Sequence, residues 1–172
     1  MVEKSNQVDA KLVYNSSVEG QNMVKSERKD PKMENSPFRS LVGSLLYEAT
    51  GTRPEIALAV CQLSRHLEKP SEEHWNAAIR VLRYLKSTLT SGICYRIKPG
   101  TLKMSASSDG EHRSNKDNRR STSGVMVMIN NSLVIFKTKL QHSVSLIASE
   151  AEYVAISLCI QEVLWLQVYC GR

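Results

Sequence analysis

No stretch of the 172-residue sequence approaches the ~18 consecutive apolar residues of a membrane span, so a membrane partner is not expected. The opening residues, MVEKSNQVDAK, have no apolar core and do not make a signal peptide. The four cysteines, Cys61, Cys94, Cys159 and Cys170, follow neither a CxxC nor a zinc-site spacing. Each sits among apolar neighbours and reads as a buried free thiol in a reducing compartment. No internal repeat is visible. Apolar residues make up 41% of the chain, slightly below the usual share, which leaves enough for a core and part of the chain unpacked. These absences point to a soluble chain, expected to be cytoplasmic.

What is present is a basic excess. Lys and Arg number 23 against 17 Asp and Glu, a formal charge of +6. That balance suits a polyanionic partner such as nucleic acid, and equally an ordinary solvated basic surface.

Residues 1–35 are polar and lack apolar periodicity. A segment such as KSERKDPKMENS cannot bury enough surface to offset the entropy of ordering it. This region reads as a polar linker or a disordered remnant. Ser36 followed by Pro37 is a helix-start signal, Leu41, Leu45 and Leu46 form a stripe, and Gly51 can end the helix. Thr52 and Glu55 form a capping-box pattern ahead of Ile56, Ala59, Val60, Leu63 and Leu67, and Pro70 stops that helix. Ser71 caps a third helix, with Glu72 and Glu73 in its first turn and Trp75, Ile79, Leu82 and Leu85 on its apolar face. Arg80, Arg83 and Lys86 fall largely away from that stripe, as a phosphate-facing surface or a solvated face. Helices are thus predicted near 37–49, 54–68 and 72–88.

After Gly92 the apolar period changes from helical to alternating. Residues 93–97 read as a short strand, Leu102, Met104 and Ala106 alternate with polar residues, and 124–129 and 133–137 are further strands. Asn130 and Asn131 tolerate the positive φ of a tight hairpin. Residues 149–169 read as one long helix, with Ser149 and Glu152 as another capping box.

Two acids stand out. Asp109 sits where the first long strand ends, exposed at its mouth, and Glu152 lies in the first turn of the last helix. Carboxylates so placed can converge on Mg²⁺, which prefers hard oxygen ligands; two ions ~4 Å apart would support phosphodiester hydrolysis. The alternatives are a turn residue and a helix cap.

The longer motifs sharpen the reading. FRSLVGSLLYEATGTRPEIALAVCQLSRHLEKPSEEHWNAAIRVLRYLKST, SSDGEHRSNKDNRRSTSG and KLQHSVSLIASEAEYVAISLCIQEVLWL occur in that order. Together they resemble the stretch of copia-type retrotransposon Pol polyproteins that joins reverse transcriptase to ribonuclease H, over residues 37–170. The resemblance implies an α/β chain in three parts. Residues 1–35 are a linker, and 36–90 the helical C-terminal part of reverse transcriptase. Residues 91–172 form an incomplete ribonuclease H-like fold, three antiparallel strands plus its first helix. It implies degradation of the RNA strand of RNA–DNA hybrids during reverse transcription. Asp109 matches the first catalytic Asp and Glu152 the metal-ligand Glu, with Mg²⁺ as cofactor and Glu150 as runner-up to Glu152. The two carboxylates are expected on one side of the sheet. Arg119, Arg120, Ser121, Thr122 and Ser123 match a run read as serving fold and backbone contact.

The departures are Glu111 and His112 where the family has Asp-Trp, and Arg113 and Ser114 where it has Ala-Gly. The family's third metal Asp and a fourth carboxylate lie beyond Arg172, and the polymerase YxDD-type motif is absent. The expectation is a fragment without independent catalysis. Its expected partners are an RNA–DNA hybrid or other nucleic acid, the remainder of Pol, and itself. A non-enzymatic relic or nucleic-acid-binding protein derived from a retroelement is the alternative.

Overall fold

The computed structural model describes residues 11–17, 23–25, 30–95 and 102–170. The linker expected over 1–35 lies largely outside the described residues. The chain divides into two units, Met1–Gly92 and Ile93–Arg172.

The first unit is helical. After a single 3-10 turn at Pro31–Met33, α1 spans Phe38–Gly51, α2 Ala57–Ser64 and α3 Glu72–Ser87. Pro37 is the residue before α1, so the helix starts one position later than the Ser-Pro signal implied. The stripe on α1 is Phe38, Leu41, Val42, Leu45 and Ala49; Leu46 points outward. The second helix is shorter than predicted, because Pro54–Ile56 forms a 3-10 turn first. The Thr52–Glu55 box does not form there. Glu55 pairs instead with the buried Arg53, at 2.6 Å, and Arg53 also bonds Thr88 and lies over the Tyr84 ring. On α3 the cap is as read, with an added partner: the Ser71 N–H donates to His74 Nδ1 at 2.9 Å. Leu45, Ile56, Leu63 and Leu82 are fully buried between the three helices. Each contributes about 1.5–3 kcal/mol of apolar transfer. Arg80, Arg83 and Lys86 are half-buried, so they do not form an open cationic face.

Among its described residues, the second unit is a three-stranded antiparallel sheet with one helix on it. β1 spans Met104–Glu111, β2 Thr122–Ile129 and β3 Ser132–Leu140, in the order β1-β2-β3; α4 spans Ala148–Cys170. Asn130 and Asn131 have φ of 49° and 64°, the turn that the Asn pair predicted. The short strand expected at 93–97 is not formed over its described part, residues 93–95, and 96–97 lie outside the described residues. Residues Val125 and Val127 of β2 pack under Cys159 and Leu166 of α4. Ala151 and Ala155, both fully buried, let the helix sit close to the sheet. Of the four thiols only Cys159 is buried; Cys94 and Cys170 are exposed and Cys61 is half-buried, which corrects the expectation that all four are interior. Apolar neighbours in sequence do not decide burial at an open helix end or beside an element boundary.

α4 is apolar nearly all round, yet it buries only Ala151, Ala155, Cys159 and Leu166. Ile156, Ile160, Leu164, Trp165, Val168 and Tyr169 are exposed. Among the described residues, α4 is one helix long and apolar enough to cross a membrane by length and composition.

Candidate functional site

The site is set by how α4 meets β1. Cross-strand pairing places Gly110 opposite Ser123, Ser108 opposite Val125 and Ala106 opposite Val127. Val125 and Val127 are core residues under α4, so the even-numbered residues of β1 face the helix. Ser107, Asp109 and Glu111 therefore point to the other face. Asp109 pairs with Gly124 and is exposed. It lies two residues before the last residue of β1, close to the strand end that the alternation implied.

Gly110 is where the helix touches the strand. A Cβ there would lie 2.6 Å from the Ala151 carbonyl oxygen and 2.8 Å from the Glu152 nitrogen, both α4 backbone atoms. Only glycine permits that approach. The same contact delivers Glu152: its Oε2 accepts the Gly110 N–H at 3.1 Å. Among the described residues β1 pairs with β2 alone, and this N–H points to the strand edge away from β2. The Glu152 carboxylate thus lies beside the Asp109–Gly110 peptide. Asp109 leaves β1 on the face opposite α4 and Glu152 reaches the strand from the helix side, which corrects the expectation that the two carboxylates lie on one side of the sheet: alternation along β1 turns Asp109 away from the helix that carries Glu152. Glu111 shares the Asp109 face.

Glu150, the runner-up, is used locally. Its Oε2 accepts the Leu146 N–H at 2.7 Å, which stabilises the start of α4. The helix begins at Ala148, so Ser149 lies inside it and is not the cap. His112 bonds the Ser145 carbonyl at 3.1 Å and tethers the loop ahead of α4.

Behind the acids lies a buried polar network that sequence reasoning largely missed. The Gln141 amide donates to Ser123 Oγ and to the Ala151 carbonyl, both at 2.9 Å, and its Oε1 accepts from Ser145 Oγ at 3.1 Å. The Gln141 N–H donates to the Ser121 carbonyl. Ser114 and Thr122 hydroxyls meet at 2.6 Å. Ser121, Thr122 and Ser123 are all buried, so this run holds β2, the end of β3 and the start of α4 together. No local feature of the sequence marks Gln141, whose partners lie on β2 and α4.

The donor set is two carboxylates, one of them already bonded to a backbone N–H. Both are hard oxygen ligands of the kind Mg²⁺ takes. Among the described residues, no three or more His, Cys, Asp or Glu side chains group to hold a metal ion. The set fits in kind and falls short in number.

Comparison with known proteins finds relatives over most of the chain. A protein of Plasmopara viticola named secreted RxLR effector protein 161 is 41% identical over 140 residues, covering 81% of this chain and 98% of that protein. The retrovirus-related Pol polyprotein from transposon TNT 1-94 of Nicotiana tabacum is 38% identical over 135 residues, 78% of this chain and 10% of that protein. The Pol polyprotein from transposon RE2 of Arabidopsis thaliana is 37% identical over 129 residues, 75% of this chain and 9% of that protein. The chain therefore spans about a tenth of the length of these Pol polyproteins. No family model and no solved structure matches it.

Proposed function

The chain belongs to the copia-type retrotransposon Pol family, and on that premise we propose that residues 91–172 are the first part of a ribonuclease H-like domain, with residues 36–90 the helical end of a reverse transcriptase. The observation that carries this reading is the seating of α4 on Gly110, which brings the Glu152 carboxylate 3.1 Å from the nitrogen that follows Asp109. In this reading Asp109 and Glu152 are the metal-ligand carboxylates, and an RNA–DNA hybrid is the substrate class. Bound Mg²⁺ would supply charge stabilisation and an activated water for phosphodiester hydrolysis. Gly110 sets the spacing of the two acids, and the Gln141 network fixes the register of β2 and β3 behind them. Two carboxylates hold a reluctantly dehydrating ion poorly, so the 172 residues by themselves do not cleave. The remainder of Pol completes the site, in the cytoplasm and, in an intact element, within a virus-like particle. Incubating the purified chain with an RNA–DNA hybrid and Mg²⁺ or Mn²⁺ tests this. No cleavage is expected; robust cleavage that disappears in Asp109→Asn would show that the residues present complete a site.

A second reading has its own support. The Plasmopara viticola relative is covered over 98% of its length, so this span occurs as nearly a whole protein as well as a slice of Pol. That favours a stand-alone, non-enzymatic product of retroelement origin. The two readings part on metal binding at Asp109 and Glu152, which a stand-alone product does not need.

A further inference from the structure

The connection between β1 and β2, residues 112–121, carries four cations, Arg113, Lys116, Arg119 and Arg120, against one acid, Asp117. It is not loose. The Asn115 N–H donates to the Arg120 carbonyl at 3.0 Å and the Arg119 N–H to the Asn115 carbonyl at 2.8 Å. Asn115 and Asn118 side chains accept from the Asp117 and Arg120 N–H groups, at 2.9 and 3.1 Å. Ser121 Oγ accepts the Arg113 N–H at 3.1 Å. Asn115 is buried beneath the loop. Arg113 also donates to the Leu146 carbonyl, which ties the loop to the approach to α4.

This frame is built from backbone groups and from the Asn115, Asn118 and Ser121 side chains. Lys116, Arg119 and Arg120 contribute no side-chain atom to it. Lys116 and Arg119 are exposed, and Arg120 is half-buried. Arg119 has a φ of 61°, and Arg113 one of 53°, a conformation that glycine or asparagine takes at lower cost. Long cations thus stand where backbone geometry alone would select other residues. The loop begins directly after Glu111, three residues from Asp109.

We propose that this connection is a preformed cationic cradle for the phosphodiester backbone of a nucleic acid, with Lys116, Arg119 and Arg120 contacting phosphates beside the Asp109 edge of β1. The inference rests on the reading that the chain engages nucleic acid, and it names the element that does so. A pinned loop orders few groups on binding, so its cations lose little freedom when they meet phosphate. Contacts of this kind fix position on the strand and carry no base preference.

The test measures binding of a labelled RNA–DNA hybrid by fluorescence anisotropy across a salt series. The variant is Lys116→Gln, Arg119→Asn and Arg120→Gln together; asparagine keeps the left-handed backbone at 119, and circular dichroism checks the fold. A second variant, Lys11→Gln, Arg39→Gln and Lys103→Gln, removes the same charge from exposed positions elsewhere. The loop variant is expected to bind roughly tenfold more weakly, with a log–log salt slope shallower by about 2–3; the control is expected to lose much less. Equal losses in the two variants, or an unchanged loop variant, would overturn the cradle while leaving hybrid binding intact. Loop-dependent binding to duplex DNA or single-stranded RNA with none to the hybrid would keep the cradle and overturn the hybrid as substrate. No binding to any nucleic acid by the parent chain would overturn both.

Discussion

Replacing Gly110 with alanine is the sharpest single perturbation of the site. The new methyl would lie 2.6, 2.7 and 2.8 Å from the Ala151 oxygen, the Ala151 carbonyl carbon and the Glu152 nitrogen. All three are backbone atoms, so no side chain can rotate away. Ordinary carbon contact begins at ~3.5 Å, and α4 must retreat by somewhat under ~1 Å to reach it. Retreat stretches two bonds at once, Gly110 N–H to Glu152 and Gln141 to the Ala151 carbonyl. Overpacking costs about 1–3 kcal/mol, and each weakened bond about 1 kcal/mol. The sum is about 3–5 kcal/mol, or roughly 12–40 °C in the melting temperature of a unit this size. Urea unfolding followed by Trp165 fluorescence, in a Trp75→Phe background so that only the second unit reports, measures it. A Gly110→Ala midpoint within about 0.5 kcal/mol of the parent would refute the reasoning. It would mean that α4 is not seated on β1, and that Glu152 is not held beside Asp109.

Other outcomes follow from the same geometry. Gln141→Leu should destabilise the second unit by about 2–4 kcal/mol, because Ser123, Ser145 and the Ala151 carbonyl lose a buried partner; the same urea titration reads it. Gly43 lies exposed within α1 with nothing within 4 Å of a Cβ, so Gly43→Ala should stabilise the first unit by about 0.5–1 kcal/mol, seen as a higher midpoint of the Trp75 signal. The exposed apolar side chains of α4 should drive association. Size-exclusion chromatography with light scattering should therefore find species above 19.3 kDa that grow with concentration, and a sharp, concentration-independent monomer would contradict this.

The elements legible in the sequence were those with local causes. Ser71 capping α3 and the Asn130–Asn131 turn are decided by a few adjacent residues, and both formed as read. The limits of the second helix were misread because Pro54 supports a 3-10 turn as readily as an α-helix start, and Arg53 took Glu55 for itself. Gly110 and Gln141 could not be found locally. One is defined by helix backbone arriving from 41 residues away, the other by partners on β2 and α4. Asp109 and Glu152 were singled out by residue type and family motif. What alternation did not give was their arrangement, with one acid on the face opposite α4 and the other reaching the strand edge through a glycine contact.

The central claim, that Asp109 and Glu152 form a metal-binding pair, is tested most directly by titrating Mn²⁺ into the ¹⁵N-labelled chain and following paramagnetic broadening of its amide resonances. The account expects weak binding in roughly the millimolar range, since a pair of carboxylates is an incomplete cage. Broadening should centre on Asp109, Gly110 and Glu152 and be lost in Asp109→Asn. Broadening centred elsewhere, or unchanged in Asp109→Asn, would contradict it.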